Sequence, residues 1–299
     1  MLSICIPVYN FNVVKLVTEL HNQASLLQIN FEIICIDDCS ESNFKHQNKS
    51  ITELSQVNYI ELNENIGRSK IRNLFLKYVS FDYLLFLDCD VEIHSASFIK
   101  EYFESLYSDF KIICGGLSYS SEKPPKTIRL RWKYGQTKEV VSLEKRLKNP
   151  YKSFKTVNFL IKKDVFELIQ FDERITAYGH EDTWFGYQLK KAGVKIKHIN
   201  NPVLHTQLET NELFIFKTEQ AIRNLVYIQN NMTSNSDLTE EISLLAMFNW
   251  VQKKKLIFAV RVFWFAFGSI IKKMLLSGFA VIPLFSFYKL GYLISIKIN

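Results

Sequence analysis

Glycine and proline are scarce in this 299-residue chain, ten and six in all, which excludes collagen-like and low-complexity material. Disorder is excluded as well, because apolar residues make up 47% and charged residues only 22%. Cysteine numbers five, an odd count with no Cys-x-x-Cys pair. Cys5, Cys35 and Cys114 lie in apolar, strand-like runs where a free thiol behaves as a small hydrophobe, so the set reads as reduced, buried thiols. The chain has no Walker loop, no G-x-G-x-x-G, no zinc spacing, no Ser-His-Asp order and no internal repeat. The opening MLSICIPVY lacks a basic segment and reaches Pro7 too soon for a secretory signal. A cytoplasmic location, or attachment to the inner face of the cell membrane, is therefore expected.

Negative charge is missing from one end. No Asp or Glu follows Glu241, whereas residues 242–299 carry Lys253, Lys254, Lys255, Arg261, Lys272, Lys273, Lys289 and Lys297. The chain before them is close to neutral, so the asymmetry points to an anionic partner at that end. A spanning helix wants about 20 apolar residues, and the longest uncharged run here is Met274–Tyr288, 15 residues interrupted by Pro283. Phe-, Trp- and Leu-rich stretches divided by Lys and Arg fit helices lying in a membrane interface, with an anionic membrane surface as partner through residues 251–299. A buried helical subdomain, an oligomer contact, and a single span over Met274–Ile296 are the alternatives. Nucleic acid is not expected, because the basic groups are diluted among large apolar side chains.

What is present in the first half is alternation. Leu2–Ile6, Phe31–Ile36, Val57–Leu62 and Tyr83–Leu87 read as strands, the first ended by Pro7, and residues 12–27 and 67–79 carry helical periods. Such alternation predicts a parallel sheet, and strands without polar alternation predict helices on both faces. Ligands then bind at the carboxyl ends of the strands, where Pro7, Tyr9, Asn10, Asp37, Asp38, Asp88 and Asp90 fall. Residues 121–153 hold ten Lys or Arg and read as a loop-rich insertion. Thr156–Ile161 and Lys195–Ile199 read as further strands and Glu181–Ala192 as a helix closed by Gly193. The pattern turns helical after about residue 211, with a polar break over Asn230–Asp237.

Three motifs carry chemistry. Arg68, Lys70 and Arg72 load a helix start with cations, against the macrodipole; an anion bound at that end would reverse the sign, and a solvated basic face is the alternative. In Asp88-Cys89-Asp90 strand alternation sends both carboxylates one way and Cys89 into the core, a pattern that suits a hard divalent cation such as Mg²⁺ or else a capped turn. In Gly179-His180-Glu181-Asp182 the carboxylates are either helix caps or a general base ready to take a proton from a hydroxyl. His205 is a candidate ligand for a metal such as Mn²⁺, with His198 as its competitor.

In chain order, SICIPVYN, IICIDDCS, NENIGRSKIRN, LLFLDCD, NFLIKKDVF, FDERITAYGHEDTWFGYQLKKAG and NPVLH resemble the family-2 glycosyltransferases of the GT-A fold, over roughly two-thirds of the chain. The resemblance implies a Rossmann-like, mostly parallel α/β sheet over residues 1–210 as the catalytic domain, followed by a helical region over 211–299. It implies that Pro7, Tyr9, Asn10 and Asp38 hold the nucleotide base and ribose, that Asn65, Gly67 and Arg72 face the nucleotide, and that Asn158 lies beside the donor sugar. Asp88 and Asp90 would serve Mn²⁺ or Mg²⁺, with His205 as a third metal position, Asp182 as catalytic base and Glu181 as its acidic neighbour. The implied reaction is inverting transfer from a nucleotide-sugar, with UDP as the expected nucleotide, to a glycan or lipid-linked glycan acceptor in cell-surface polysaccharide synthesis. Two positions depart from the pattern, Cys39 where the family has Gly and Val91 where a further Asp often stands. A sugar-phosphate nucleotidyltransferase and a non-catalytic membrane-attached assembly subunit are the rival readings. The first would want a Gly-rich basic loop where PVYNFN stands, and the second would not need Asp90 and Asp182.

Overall fold

A computed structural model describes residues 1–106, 109–232, 238 and 241–297. Its strands are β1 (Leu2–Val8), β2 (Phe31–Asp37), β3 (Val57–Glu61), β4 (Tyr83–Leu87), β5 (Val91–Glu92), β6 (Ile112–Cys114), β7 (Leu117–Tyr119), β8 (Asn158–Lys162), β9 (Ile196–His198) and β10 (Val203–His205). Its helices are α1 (Val14–Leu26), α2 (Ser42–Asn48), α3 (Arg68–Leu74), α4 (Phe98–Ser105), α5 (Arg129–Tyr134), α6 (Leu143–Lys148), α7 (Lys163–Leu168), α8 (Glu181–Lys191), α9 (Asn211–Asn231), α10 (Ser243–Lys253), α11 (Ile257–Leu276) and α12 (Ile282–Lys297).

Seven strands form one sheet in the order β3-β2-β1-β4-β8-β6-β9. The four at the β3 end run parallel, β8 is antiparallel to both neighbours, and β6 and β9 are again parallel. A second sheet, β5-β10-β7, has three short strands. Alternate residues of the central strands enter opposite cores, as the two-residue period requires. Ile4, Ile6 and Leu85 pack with Leu16, Val17 and Leu20 of α1 and with Phe98 and Tyr102 of α4. Cys5, Ile34 and Phe86 pack on the other face with Ile71 of α3, Phe166 of α7 and Phe185 of α8. This is the doubly covered α/β sheet that the uniformly apolar strands imply. β1 passes through Pro7 to Val8 rather than stopping at it, because the ladder with β4 ends at Cys5 and only β2 continues alongside.

Two units share the chain. The first comprises Met1–Ser118, Val141–Thr176 and Trp184–Gln207, and contains the large sheet. The second comprises Tyr119–Val140, Ala177–Thr183 and Leu208–Asn299. The second unit thus groups two inserts from the first 210 residues with the C-terminal helices, where the sequence reading places a 1–210 catalytic domain before a 211–299 helical region. The insertion at 121–153 is not loop-rich either, for it contains α5, α6 and shorter turns of helix. Its charge misleads because some of its cations point inward. Arg131 is buried and paired with Glu139 at 2.9 Å, and Arg146 is buried against backbone carbonyls of Cys114 and Ile199. α9 runs to Asn231, and most of the expected break over Asn230–Asp237 lies outside the described residues.

Candidate active site at the strand ends

In the first unit the turns after β1 and β2 are tied together. The Asn10 N–H donates to Ser40 Oγ at 2.8 Å, and Asn10 Oδ1 accepts from the Glu41 N–H at 2.8 Å. Asn10 itself is left-handed, φ 49°, a conformation Asn tolerates. Cys39 is also left-handed, φ 63°, so the turn keeps a glycine-like backbone although a cysteine occupies it. Tyr9 stands exposed beside this turn. Asp37, placed by the sequence at the ligand-binding edge, is fully buried and accepts from the Ser40 N–H and from Tyr59 Oη. It ends β2 by folding the chain back on its own carboxylate.

Asp38 is buried and holds the loop before α3. Its carboxylate accepts from the Ile66 N–H at 2.7 Å and the Gly67 N–H at 3.1 Å, while Asn65 Nδ2 donates to its carbonyl at 3.1 Å. Burial pushes the Asp38 carboxyl upward in pKa, and the two N–H groups pull it back. Gly67 is required here, since φ 82° and ψ 171° is open essentially to glycine alone. The cation-loaded helix start is thereby explained from within the chain. The N–H groups of Ile66 and Gly67 just before the helix meet Asp38, and Arg72 Nη2 donates to Asp88 Oδ1 at 2.7 Å. Arg72 is buried and also lies over the Phe171 ring, 5.6 Å to the centroid. The solvated basic face does not apply to Arg72.

Asp88 and Asp90 consequently meet different partners. Asp90 Oδ2 lies 3.4 Å from His205 Nε2. The small sheet makes this pairing, because His205 of β10 is registered opposite Val91 of β5, the residue after Asp90. The Asp90 carbonyl also accepts from the Thr206 N–H and hydroxyl, each at 3.2 Å. Burial raises the Asp90 carboxyl, and the neighbouring imidazole lowers it. Cys89 packs against the core as its alternation implies. The competing His198 is spoken for. Arg146 Nη1 donates to its Nδ1 at 3.3 Å and its Nε2 donates to the Pro150 carbonyl at 2.9 Å, which fixes a neutral, buried ring with a lowered pKa. Among the described residues no three His, Cys, Asp or Glu side chains gather in metal-binding geometry. The donor set at Asp90 and His205 is one carboxylate and one imidazole. That set suits Mn²⁺ or Mg²⁺ completed by substrate oxygens and water, the habit of such ions at phosphate sites.

Asn158 is buried with its amide fully used. Its Oδ1 accepts from Tyr102 Oη at 2.6 Å, and its Nδ2 donates to the Gly116 and Asn201 carbonyls at 3.0 and 2.9 Å. It acts by holding the backbone between β6 and β10 rather than by offering a free polar group. Gly115 permits that closeness, since a Cβ there would stand 2.4 Å from the Asn201 carbonyl oxygen and 2.5 Å from Asn158 Nδ2.

The acidic pair lies in the second unit. Gly179 and His180 are both left-handed, φ 94° and 70°, and turn the chain into α8 at Glu181. Glu181 is buried, and Asp182 Oδ1 accepts from the Thr183 N–H at 2.7 Å and its hydroxyl at 3.2 Å. The turn is held from α9. Asn224, buried, donates from Nδ2 to the Ala177 carbonyl at 3.3 Å and to the Gly179 carbonyl. A Cβ at Gly179 would stand 2.6 Å from Ala221 Cβ. Neither Ala221 nor Asn224 gave a sequence signal, because both sit in a helix whose period is set by Ile222, Leu225 and Ile228.

Known proteins sharpen the reading. Residues 3–169 match the model of glycosyl transferase family 2, more than half of the chain. A chondroitin synthase of Escherichia coli is 25% identical over 239 residues, 69% of this chain and 34% of that protein. The chain thus spans about a third of that relative's length. Among solved structures, a mannosyltransferase of Pyrobaculum calidifontis in complex with GDP-Man and Mn²⁺ shares the fold with a TM-score of 0.59 at 13% identity, covering 99% of this chain and 86% of its own. Staphylococcus aureus TarS 1–349 in complex with UDP-GlcNAc gives 0.52 at 16% identity, covering 99% and 90%. With the doubly covered sheet, the ordered motifs and the matched family model in agreement, the chain belongs to glycosyl transferase family 2.

Proposed function

We propose that the protein transfers a sugar, with inversion, from a nucleotide-sugar to a hydroxyl of a glycan or lipid-linked glycan in cell-surface polysaccharide synthesis. The observation that carries the reading is the Asp90–His205 pair, 3.4 Å apart, set at the strand-end edge of a family-2 sheet beside the Asp38–Gly67 loop. UDP is the nucleotide we assign. The similarity to a structure in complex with UDP-GlcNAc supports it.

The chain's residues divide the work. The turns held by Asn10, Asp37 and Asp38 present the nucleotide-facing backbone, with Tyr9 exposed for the base. Arg72 fixes the Asp88 carboxylate beside the site. Asp90 and His205 would hold Mn²⁺ or Mg²⁺, which when bound supplies Lewis-acid stabilisation of the departing diphosphate. Asp182 accepts the proton of the acceptor hydroxyl as its oxygen attacks the anomeric carbon. General-base action of this kind contributes about 10²–10⁴-fold.

The test is a donor screen. The full chain is incubated with UDP-, GDP- and other nucleotide-sugars in Mn²⁺ or Mg²⁺, and release of nucleoside diphosphate is measured with and without glycan acceptors. Release with a UDP-sugar, lost in excess chelator and restored by added metal, is expected. Neither nucleotide binding nor release with any donor would return the assignment to a non-catalytic assembly subunit.

A further inference from the structure

The two apolar C-terminal helices have different fates within the second unit. α12 is consumed by packing, with Phe285, Tyr288, Leu293 and Ile294 buried. Its Gly291 admits Trp264 of α11, since a Cβ there would stand 2.2 Å from the indole. The inner stripe of α11, Gly268, Ile271 and Leu275, is buried, with Ile271 and Leu275 clustered with Phe285 and Tyr288. Among the described residues nothing covers the outer side of α11. Phe258, Val262 and Phe265, spaced i, i+4 and i+7, are 77%, 52% and 93% exposed. Beside them Phe263, Phe267, Ile270 and Met274 line a wholly apolar groove of about 390 Å³ with Leu284 and Phe287. A continuous exposed patch of this kind marks an interaction surface rather than ordinary surface scatter.

Charge says what it meets. Of the eight basic residues after Glu241, Lys272 is paired with Glu219, and Lys289 and Lys297 lie over aromatic rings. Lys253, Lys254 and Lys255 stand exposed just before α11, and Arg261 and Lys273 are exposed along it. Among the described residues no carboxylate pairs with these five, and no acidic residue follows Glu241 to oppose them. No described helix is long and apolar enough to cross a membrane, and α11 and α12 are interrupted between Leu276 and Ile282. A second copy docking face to face would bring like charge onto like charge.

We propose that the outer face of α11 is a docking surface for an anionic lipid bilayer. The helix lies in the membrane plane, Phe258, Val262 and Phe265 enter the acyl boundary, and Lys253–Lys255, Arg261 and Lys273 lie at the headgroups. The inference is independent of the sugar-transfer reading, because it is read without catalysis.

The full chain is sedimented with phosphatidylcholine vesicles and with vesicles containing 30% phosphatidylglycerol. Binding to the anionic vesicles is expected, weakened but not removed by high salt, since only the electrostatic part is screened. Changing Lys253, Lys254 and Lys255 together to Gln should weaken binding about a hundredfold, at about fivefold per lost charge. The double variant Phe258→Ser and Phe265→Ser should remove the salt-resistant part. These five side chains are exposed, so an unchanged circular dichroism spectrum and thermal midpoint are expected of both variants. Equal affinity for both vesicle types, no binding to either, or binding indifferent to the Phe pair would overturn the proposal. So would a defined oligomer in the absence of lipid that the Phe pair dissolves, which would assign the face to a second copy.

Discussion

Two turns, one in each unit, solve the same problem with opposite chemistry. The loop Asn65–Gly67 before α3 is held by a carboxylate that accepts its N–H groups, whereas the turn Ala177–His180 before α8 is held by an amide that donates to its carbonyls. Each contains a left-handed glycine, and each presents the residues assigned to one substrate. Gly67 faces open space, whereas Gly179 is pressed against Ala221. In both, functional backbone is irregular and is fixed by one buried side chain from a distant part of the sequence. The expected consequence is that the first turn governs donor binding and the second governs turnover.

The largest effect belongs to the residue that neither turn can replace. Asp90→Ala should reduce nucleoside diphosphate release to background while circular dichroism stays unchanged, and His205→Ala should shift the metal requirement to higher concentration with a smaller loss. Full activity of Asp90→Ala in excess chelator would remove Asp90 from the site. Next comes Asp182→Asn, which keeps the shape and removes proton acceptance. The turnover number should fall by about 10²–10⁴ with the donor KM unchanged. A variant that instead lost donor affinity at unchanged turnover would erase the distinction between the two turns.

How much of this was legible from the sequence follows from where the signals are local. β1, β2 and β4 are written as apolar runs because both faces of the sheet are covered, and the carboxylates at their ends fall where such sheets bind ligands. β6 and β7, three residues each, are too short for any period to register. The choice between His205 and His198 was not local. It is made by the β5–β10 pairing on one side and by Arg146 on the other, both long-range facts. The same holds for Asp38 and Asn158, read as donor-facing residues, whose side chains meet backbone groups and, for Asn158, also Tyr102 Oη. A polar residue at a strand end looks the same in sequence whether it touches a ligand or holds the loop that does.

Asn224→Ala is the direct test of the second turn. It leaves the Ala177 and Gly179 carbonyls without their donor, a loss of about 1–3 kcal/mol, equivalent to about 5- to 150-fold in rate if it all falls on the transition state. Turnover should drop by tens-fold with the donor KM steady, and Asn224→Asp, which cannot donate, should fare no better. Gly179→Ala adds a Cβ 2.6 Å from Ala221 and should be as damaging to turnover. Equal losses in donor affinity would mean that Asn224 merely supports the fold.

The smallest effect, and the sharpest contrast, comes from Gly67→Ala. No atom lies within 4 Å of the Cβ it would add, so sterics between side chains cannot contribute. What remains is the backbone, at φ 82° and ψ 171°, where a non-glycine residue costs about 1–3 kcal/mol. The chain can shed that strain by letting the loop relax, and the relaxation would lengthen the Ile66 and Gly67 N–H bonds to Asp38. Two readouts should therefore move together, a lower thermal midpoint and a donor KM raised severalfold, with turnover at saturating donor close to the parent's. Gly67→Asn should behave like Ala, because asparagine relieves strain in the left-handed helical region but not at this extended ψ. Loss of turnover without a change in KM would place Gly67 with Gly179, and the two turns would then share one role.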